Sequence, residues 1–375
     1  MLRNCTEQRI LRPDAQYLEV GLWLEEMGTR HLLLVCDSSI QFLRIHAWLE
    51  KLQERSGIAL TTFSDFQPNP LYESVQKGVR RFREAGCDAI MAVGGGSAMD
   101  VAKCIKLYCN MEPDCDYLAQ TVVPNAIPFL AMPTTAGTGS EATRYAVIYR
   151  DGEKQSITDE SAIPQAVLMD ASVLETLPPY QKKVTMLDAF CHGIESFWSV
   201  HANETSMEYS RQAIESILLH MDGYLHGAPE GHEGMLQAAH IAGKAINITQ
   251  TTAGHAMCYK LTSLYGIAHG HAAALCVPKL WKYMLSHGDM NSEPNGFLSL
   301  KSVFERLAQA MGCRDCNEAA EAFESIVASL GLPKVTPQET DFALLRDSVN
   351  PVRLKNNPVR LNRETIEQLY HEILR

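Results

Sequence analysis

The sequence lacks any uninterrupted apolar stretch of roughly 18 residues, the length a membrane helix requires, so no spanning segment is expected. Positive charge is also in short supply. With 33 Lys and Arg against 44 Asp and Glu, the formal net charge is −11. That excludes a general nucleic-acid or anionic-membrane surface and makes any local cluster of basic residues informative. Eleven cysteines form an odd, irregularly spaced set, as expected of reduced thiols. The one Cys-x-x-Cys, Cys313 and Cys316, has no second pair to complete a zinc knuckle and is expected to be structural. The opening MLRNCTEQRILRP lacks the apolar core of a signal peptide, and a soluble cytoplasmic protein is expected. There is no internal repeat and no low-complexity tract.

At 375 residues the chain accommodates two domains, each in the usual range of about 100–200 residues. The first half alternates strand and helix: a helix over 15–28, the buried strand HLLLVCD ending at Asp37, a helix over 40–54, a strand over 58–63, and a turn at 67–70. A helix over 72–85 then leads into a strand over 89–93. From about Gln181 strands fade, and helical patterns run over 183–200, 206–224, 231–246 and 298–311. The fold class expected is an α/β dinucleotide-binding domain, 1–179, followed by an all-α domain, 180–375, with a hinge near Leu177-Pro178-Pro179 and the metal and cofactor in the interdomain cleft.

Two loops carry the N-terminal chemistry. Strand 89–93 runs directly into Gly94, Gly95, Gly96 and Ser97 and then a helix. Small residues let the backbone approach a ligand closely, and the free N–H groups and dipole of the helix start attract phosphate. The strand IPFLAMP ends in a second run, Thr134-Thr135-Ala136-Gly137-Thr138-Gly139-Ser140. Two such loops at strand carboxyl ends favour a dinucleotide site.

The C-terminal chemistry lies in GHAMCYKLTSLYGIAHGH, residues 254–271, with three histidines in mostly apolar sequence, and in MLDAFCHGIESFW, where Asp188 and His192 are four residues apart. On a helix those two side chains share a face. His255 and His269 are expected on or near the ends of two consecutive helices. A buried Asp is costly unless paired or bound to a cation, so Asp188, His192, His255 and His269 are the candidate metal ligands.

Taken together, GGGSAMDVAK, PTTAGTGSEAT, DAFCHGIESF and GHAMCYKLTSLYGIAHGHAAAL resemble the iron-containing (group III) metal-dependent alcohol dehydrogenase family, in the same order and across most of the chain. The resemblance implies that Asp188, His192, His255 and His269 hold a divalent metal, with Fe²⁺ favoured and Zn²⁺ the other ion this ligand set suits. It implies that NAD(P) is held at Gly94, Gly95, Gly96, Ser97, Asp100, Thr134, Thr135, Thr138 and Ser140, with Asn69 and Lys154 carried over by position alone. Asp37, following the first buried strand, would accept the ribose 2′-hydroxyl and repel a 2′-phosphate, which predicts NAD(H) over NADP(H). Many relatives carry a histidine where this chain has Tyr259. The proton donor is therefore expected to be water, Tyr259 or His271, the catalytic candidates. The family suggests a homodimer or higher homo-oligomer.

The expected activity is metal-dependent reduction of a short aldehyde. Arg144, Lys260, Arg353, Lys355 and Asn357 are the substrate candidates, because cations near the active-site cleft of an acidic protein suit an anionic head group. The run Thr251-Thr252-Ala253-Gly254-His255, with Tyr259 and His269-Gly270-His271, is similar to the branch that reduces phosphonoacetaldehyde or sulfoacetaldehyde. The alternative is a dehydrogenase of uncharged short-chain alcohols or diols. The related glycerol-1-phosphate dehydrogenase and dehydroquinate synthase group shares the architecture, but PTTAGTGSEAT and HAM…HGH argue against the synthase. A non-enzymatic role accounts for neither the loops nor the four ligands.

Overall fold

The computed structural model describes residues 8–113, 115–287 and 299–374. They form two compact units. One comprises the described residues up to Thr135 together with Gly139–Thr176; the other comprises Ala136–Thr138 and the described residues from Leu177 onward.

The first unit is built on the strands β1 (Arg9–Leu11), β2 (His31–Cys36), β3 (Ala59–Phe63), β4 (Ala89–Gly94), β5 (Phe129–Pro133) and β8 (Ala166–Leu168), which form one sheet in the order β1-β8-β5-β4-β2-β3. Every pairing in it is parallel. The hairpin β6 (Tyr145–Arg150) and β7 (Glu153–Thr158) stands apart as a two-stranded sheet. Helices α1 (Leu18–Glu26), α2 (Arg44–Glu50), α3 (Leu52–Ser56), α4 (Tyr72–Ala85) and α5 (Gly96–Tyr108) connect the strands. All six residues of β4 are buried, as continuous apolar sequence in a central parallel strand requires. The helix expected over 40–54 is instead a 3-10 turn, Ser38–Phe42, and two short helices, because the buried Leu43 adopts an extended conformation between them and Lys51 leaves helical geometry.

This sheet has a switch point between β2 and β4: the chain leaves β2 outward to β3 and returns on the other side to β4. Open α/β sheets bind ligands outside the carboxyl ends of strands at such a point. Asp37 follows β2, and the glycine loop follows β4.

The second unit is all helical among its described residues: α6 (Pro179–Trp198), α7 (Glu204–Leu225), α8 (Pro229–Thr249), α9 (Ala253–Tyr265), α10 (His269–His287), α11 (Leu300–Ala310), α12 (Cys316–Ser329), α13 (Asp341–Ser348), α14 (Pro351–Leu354) and α15 (Arg363–Leu374). The expected helix over 298–311 appears as α11; its first residue lies outside the described residues. Nearly every residue of α6 from Val184 onward is buried, and the helix packs against α7, α8, α10 and α11. A helix apolar on all sides is a central one, and α6 carries Asp188 and His192. No described helix is long and apolar enough to cross a membrane.

Candidate active site

The glycine loop of the first unit follows directly from packing. A Cβ on Gly94 would lie 2.6 Å from that of Ala98 in the first turn of α5, so only hydrogen fits where β4 turns into the helix. Gly95 is the N-cap, without a side chain to block the free N–H groups of the first turn. Asp37 caps the 3-10 turn through Oδ1, which accepts from Ser39 N at 2.8 Å. Its Oδ2 lies 3.7 Å from where a Gly94 Cβ would be. This cap uses only one of the two oxygens.

The second loop is tied to the first through α5. Thr134 N donates to Gly94 O at 3.0 Å, and Ser140 Oγ donates to Asp100 Oδ1 at 3.2 Å. Beneath them lies Lys103, fully buried, a residue the sequence reading passed over. Its ammonium donates to Ser140 O at 2.6 Å, Ser140 Oγ at 3.1 Å, Thr143 Oγ1 at 3.1 Å and Tyr145 O at 2.7 Å. Burial pushes the Lys103 ammonium down to about 8 and the Asp100 carboxyl up to about 6, although each charge opposes the other's shift. Thr135 and Thr138 are partly buried in the same loop, and Lys154 lies on β7, its charge within reach of Asp100. Asn69 is exposed in a left-handed turn conformation, φ 59°.

In the second unit, one ligand atom from each of Asp188, His255 and His269 lies within 4.8 Å of the others. His192 joins them: its ring stacks on His255 with centroids 4.7 Å apart, and its Nε2 is 3.9 Å from Asp188 Oδ1. His255 Nε2 is 3.4 Å from the same oxygen. Two donors about 2.0–2.1 Å from a tetrahedral metal are themselves about 3.4 Å apart, so this spacing fits a divalent ion. Each histidine that α9 and α10 bring to this cluster has a glycine neighbour for a steric reason. A Cβ on Gly270 would lie 2.0 Å from Val184 O and 2.8 Å from Asp188 Cβ, and one on Gly254 would lie 2.9 Å from Glu195 Oε1. These glycines let α9 and α10 close on α6 and bring their histidines to Asp188.

Glu195, one turn beyond His192 on α6, is the residue the sequence reading missed here. It is fully buried, and its Oε2 pairs with His255 Nδ1. Two buried carboxylates thus flank His255, Asp188 beside its Nε2 and Glu195 behind its Nδ1. Burial works against both charges, yet the neighbouring imidazoles hold Asp188 and Glu195 below the ordinary carboxylate range. His192 is lowered by burial, whereas His255, between two carboxylates, is raised to about 9 in the ion-free protein.

The remaining candidates separate clearly. Tyr259 stacks on His269 with centroids 5.3 Å apart, and the guanidinium carbon of Arg353 sits 5.3 Å from the Tyr259 centroid. Arg353 is partly buried and has no ion pair among the described residues. Arg144 is engaged, donating to Glu160 Oε1 at 2.5 Å and Tyr145 OH at 3.2 Å. Lys260 is partly buried on α9, and Lys355 is exposed at the end of α14. Asn357 is buried and donates to Val359 O at 2.7 Å, a loop-holding contact. His271 is buried, which lowers its pKa, and its Nδ1 is 3.1 Å from Tyr180 OH. That hydroxyl accepts from Ala268 N at 3.1 Å, so its own proton is free to go to His271.

A glycine-turn loop on a doubly wound sheet and an Asp–His cluster in the helical unit are the parts a metal-dependent oxidoreductase needs. The chain matches the iron-containing alcohol dehydrogenase family over residues 8–171 and the C-terminal part of the Fe-containing alcohol dehydrogenase family over residues 182–374, and it belongs to that family. It is 31% identical over 316 residues to the phosphonoacetaldehyde reductase of Streptomyces viridochromogenes, covering 80% of each chain. It is 33% identical to the probable alcohol dehydrogenase EutG of Salmonella typhimurium, covering 93% of this chain and 89% of that one. Among solved structures, it is similar to sulfoacetaldehyde reductase from Bifidobacterium kashiwanohense in complex with NAD⁺, with a TM-score of 0.85, 25% identity, and 98% and 97% of the two chains covered. The protein is thus an oxidoreductase of the alcohol–aldehyde couple.

Proposed function

We propose that this protein is an NAD(H)- and iron-dependent reductase of short aldehydes bearing an anionic head group, of the kind formed by sulfoacetaldehyde or phosphonoacetaldehyde. The observation that carries the head-group reading is the stack Arg353–Tyr259–His269, with a guanidinium that makes no ion pair among the described residues one ring away from His269, which would hold the ion. A planar guanidinium binds sulfonate or phosphonate oxygens by paired hydrogen bonds. Two similar proteins, the phosphonoacetaldehyde and sulfoacetaldehyde reductases, act on such substrates by their names.

Asp188, His192, His255 and His269 would hold the ion, and the loops at Gly94–Ser97 and Thr134–Ser140 the dinucleotide pyrophosphate. When bound, the metal supplies Lewis acidity at the aldehyde oxygen and the nicotinamide supplies the hydride. The chain does the rest. Arg353 orients the substrate by its head group, and Tyr259 holds the guanidinium in place. Tyr180 OH, giving its hydrogen to His271 Nδ1, keeps the proton of that ring on Nε2, and the pair forms a route for the proton the alcohol needs. Asp37, with Oδ2 unused by its cap, takes the ribose 2′-hydroxyl, so NADH is preferred to NADPH.

Steady-state kinetics test this reading. The expected kcat/KM is at least tenfold higher for a sulfonated or phosphonated two-carbon aldehyde than for butanal, with NADH favoured. Equal values for charged and uncharged aldehydes would remove the head-group assignment, and a preference for NADPH would remove the role of Asp37.

A further inference from the structure

We infer that Glu195 is a positioning residue that sets how tightly this centre holds its ion, by deciding which nitrogen His255 offers to it; the inference rests on the metal reading above. Glu195 Oε1 accepts from Thr252 N at 3.2 Å, Thr252 Oγ1 at 2.5 Å and His255 N at 3.3 Å. Its other oxygen pairs with His255 Nδ1. Thr252 is the N-cap of α9, so a single carboxylate both satisfies the free N–H groups of the helix start and grips the first ligand on that helix. With Nδ1–H donated to Glu195, the lone pair of His255 is confined to Nε2, the nitrogen 3.4 Å from Asp188 Oδ1.

The sequence is shaped around this contact. Asp188, His192 and Glu195 recur at i, i+4 and i+7 on one face of α6, and a side chain at Gly254 would meet Val277 of α10 at 2.6 Å and Glu195 at 2.9 Å. The Nδ1 of His269 lies 3.5 Å from Cys258 Sγ. His255 has its tautomer fixed by a carboxylate. In Glu195→Gln the amide oxygen can still accept from Thr252 and the helix start. Its NH₂ group, however, cannot accept from Nδ1–H, and the imidazole is driven to carry its proton on Nε2, where the ion should bind.

The test is Zn²⁺ titration against a competing chelator, together with the visible absorption of the Co²⁺-loaded protein, on the wild type and Glu195→Gln. The expected result is a metal dissociation constant raised about 10- to 100-fold and a shifted Co²⁺ band, with NADH binding by fluorescence within about twofold of the wild type. Unchanged metal affinity and an unchanged Co²⁺ spectrum would overturn the inference. Asp188→Ala serves as the reference: if it too binds metal like the wild type, the metal reading itself falls. Should Glu195→Gln fail to fold, Thr252→Val, which keeps the charge but removes the hydroxyl donor, is expected to weaken the metal severalfold, and wild-type affinity in that variant would overturn the inference equally.

Discussion

Each unit buries acidic side chains, and they fare in opposite ways. In the first, Asp100 and Lys103 have each other and several hydrogen bonds, yet burial prevails: the acid is pushed up to about 6 and the base down to about 8. In the second, Asp188 and Glu195 are more completely buried than the partly buried Asp100, yet the surrounding imidazoles prevail and both are held below the ordinary range. Asp100 and Lys103 turn their polar atoms toward the protein's own loop, where Lys103 is used up on Ser140, Thr143 and Tyr145. Asp188 and the histidines turn theirs toward one another, at distances that leave room for an ion. The first cluster is spent on the protein's own carbonyl and hydroxyl groups; the second is spaced as a bound ion would need.

The sharpest way to break this contrast is to remove a member of the second cluster. Asp188→Ala or His269→Ala is expected to abolish stoichiometric metal and lower kcat/KM for aldehyde reduction by about 10³-fold or more, with NADH binding retained; metal analysis and single-substrate kinetics check it. Lys103→Met should do the reverse. Leaving several buried oxygens without their donor costs about 1–3 kcal/mol each where water cannot enter. The expected outcome is a lower melting temperature and NADH affinity reduced about tenfold, with metal content unchanged. Weak NADH binding together with lost metal would erase the distinction between the clusters.

A smaller effect compares two arginines. Arg353→Ala should raise KM for a sulfonated or phosphonated aldehyde about tenfold or more, the scale of one charge-assisted contact, while leaving butanal within about twofold. Arg144→Ala should change neither by more than about twofold, because its guanidinium is spent on Glu160 and Tyr145.

The sequence reads most clearly where spacing alone fixes geometry. The continuous apolar run of β4 followed by Gly94–Ser97, and Asp188 with His192 one helical turn apart, need no tertiary information. The three-residue strands β1 and β8 and the polar hairpin β6–β7 were not legible, since each is defined by its partner more than by its own pattern. Glu195 lay in plain view seven residues after Asp188, but a Glu on a helix is ordinarily solvent-exposed, and only the arrival of α9 reveals its task. Lys103 was hidden in the same way. Arg144 and Arg353 are equivalent in sequence; Glu160 beside one and Tyr259 beside the other separate them.

The central claim, that a divalent ion held among Asp188, His192, His255 and His269 is required for reduction, is tested most directly by following NADH oxidation with a short aldehyde after exhaustive chelation and again after adding Fe²⁺ or Zn²⁺. The account predicts that turnover falls to the background of the Asp188→Ala variant and returns with about one ion per chain. Undiminished turnover by protein shown to be metal-free would contradict it.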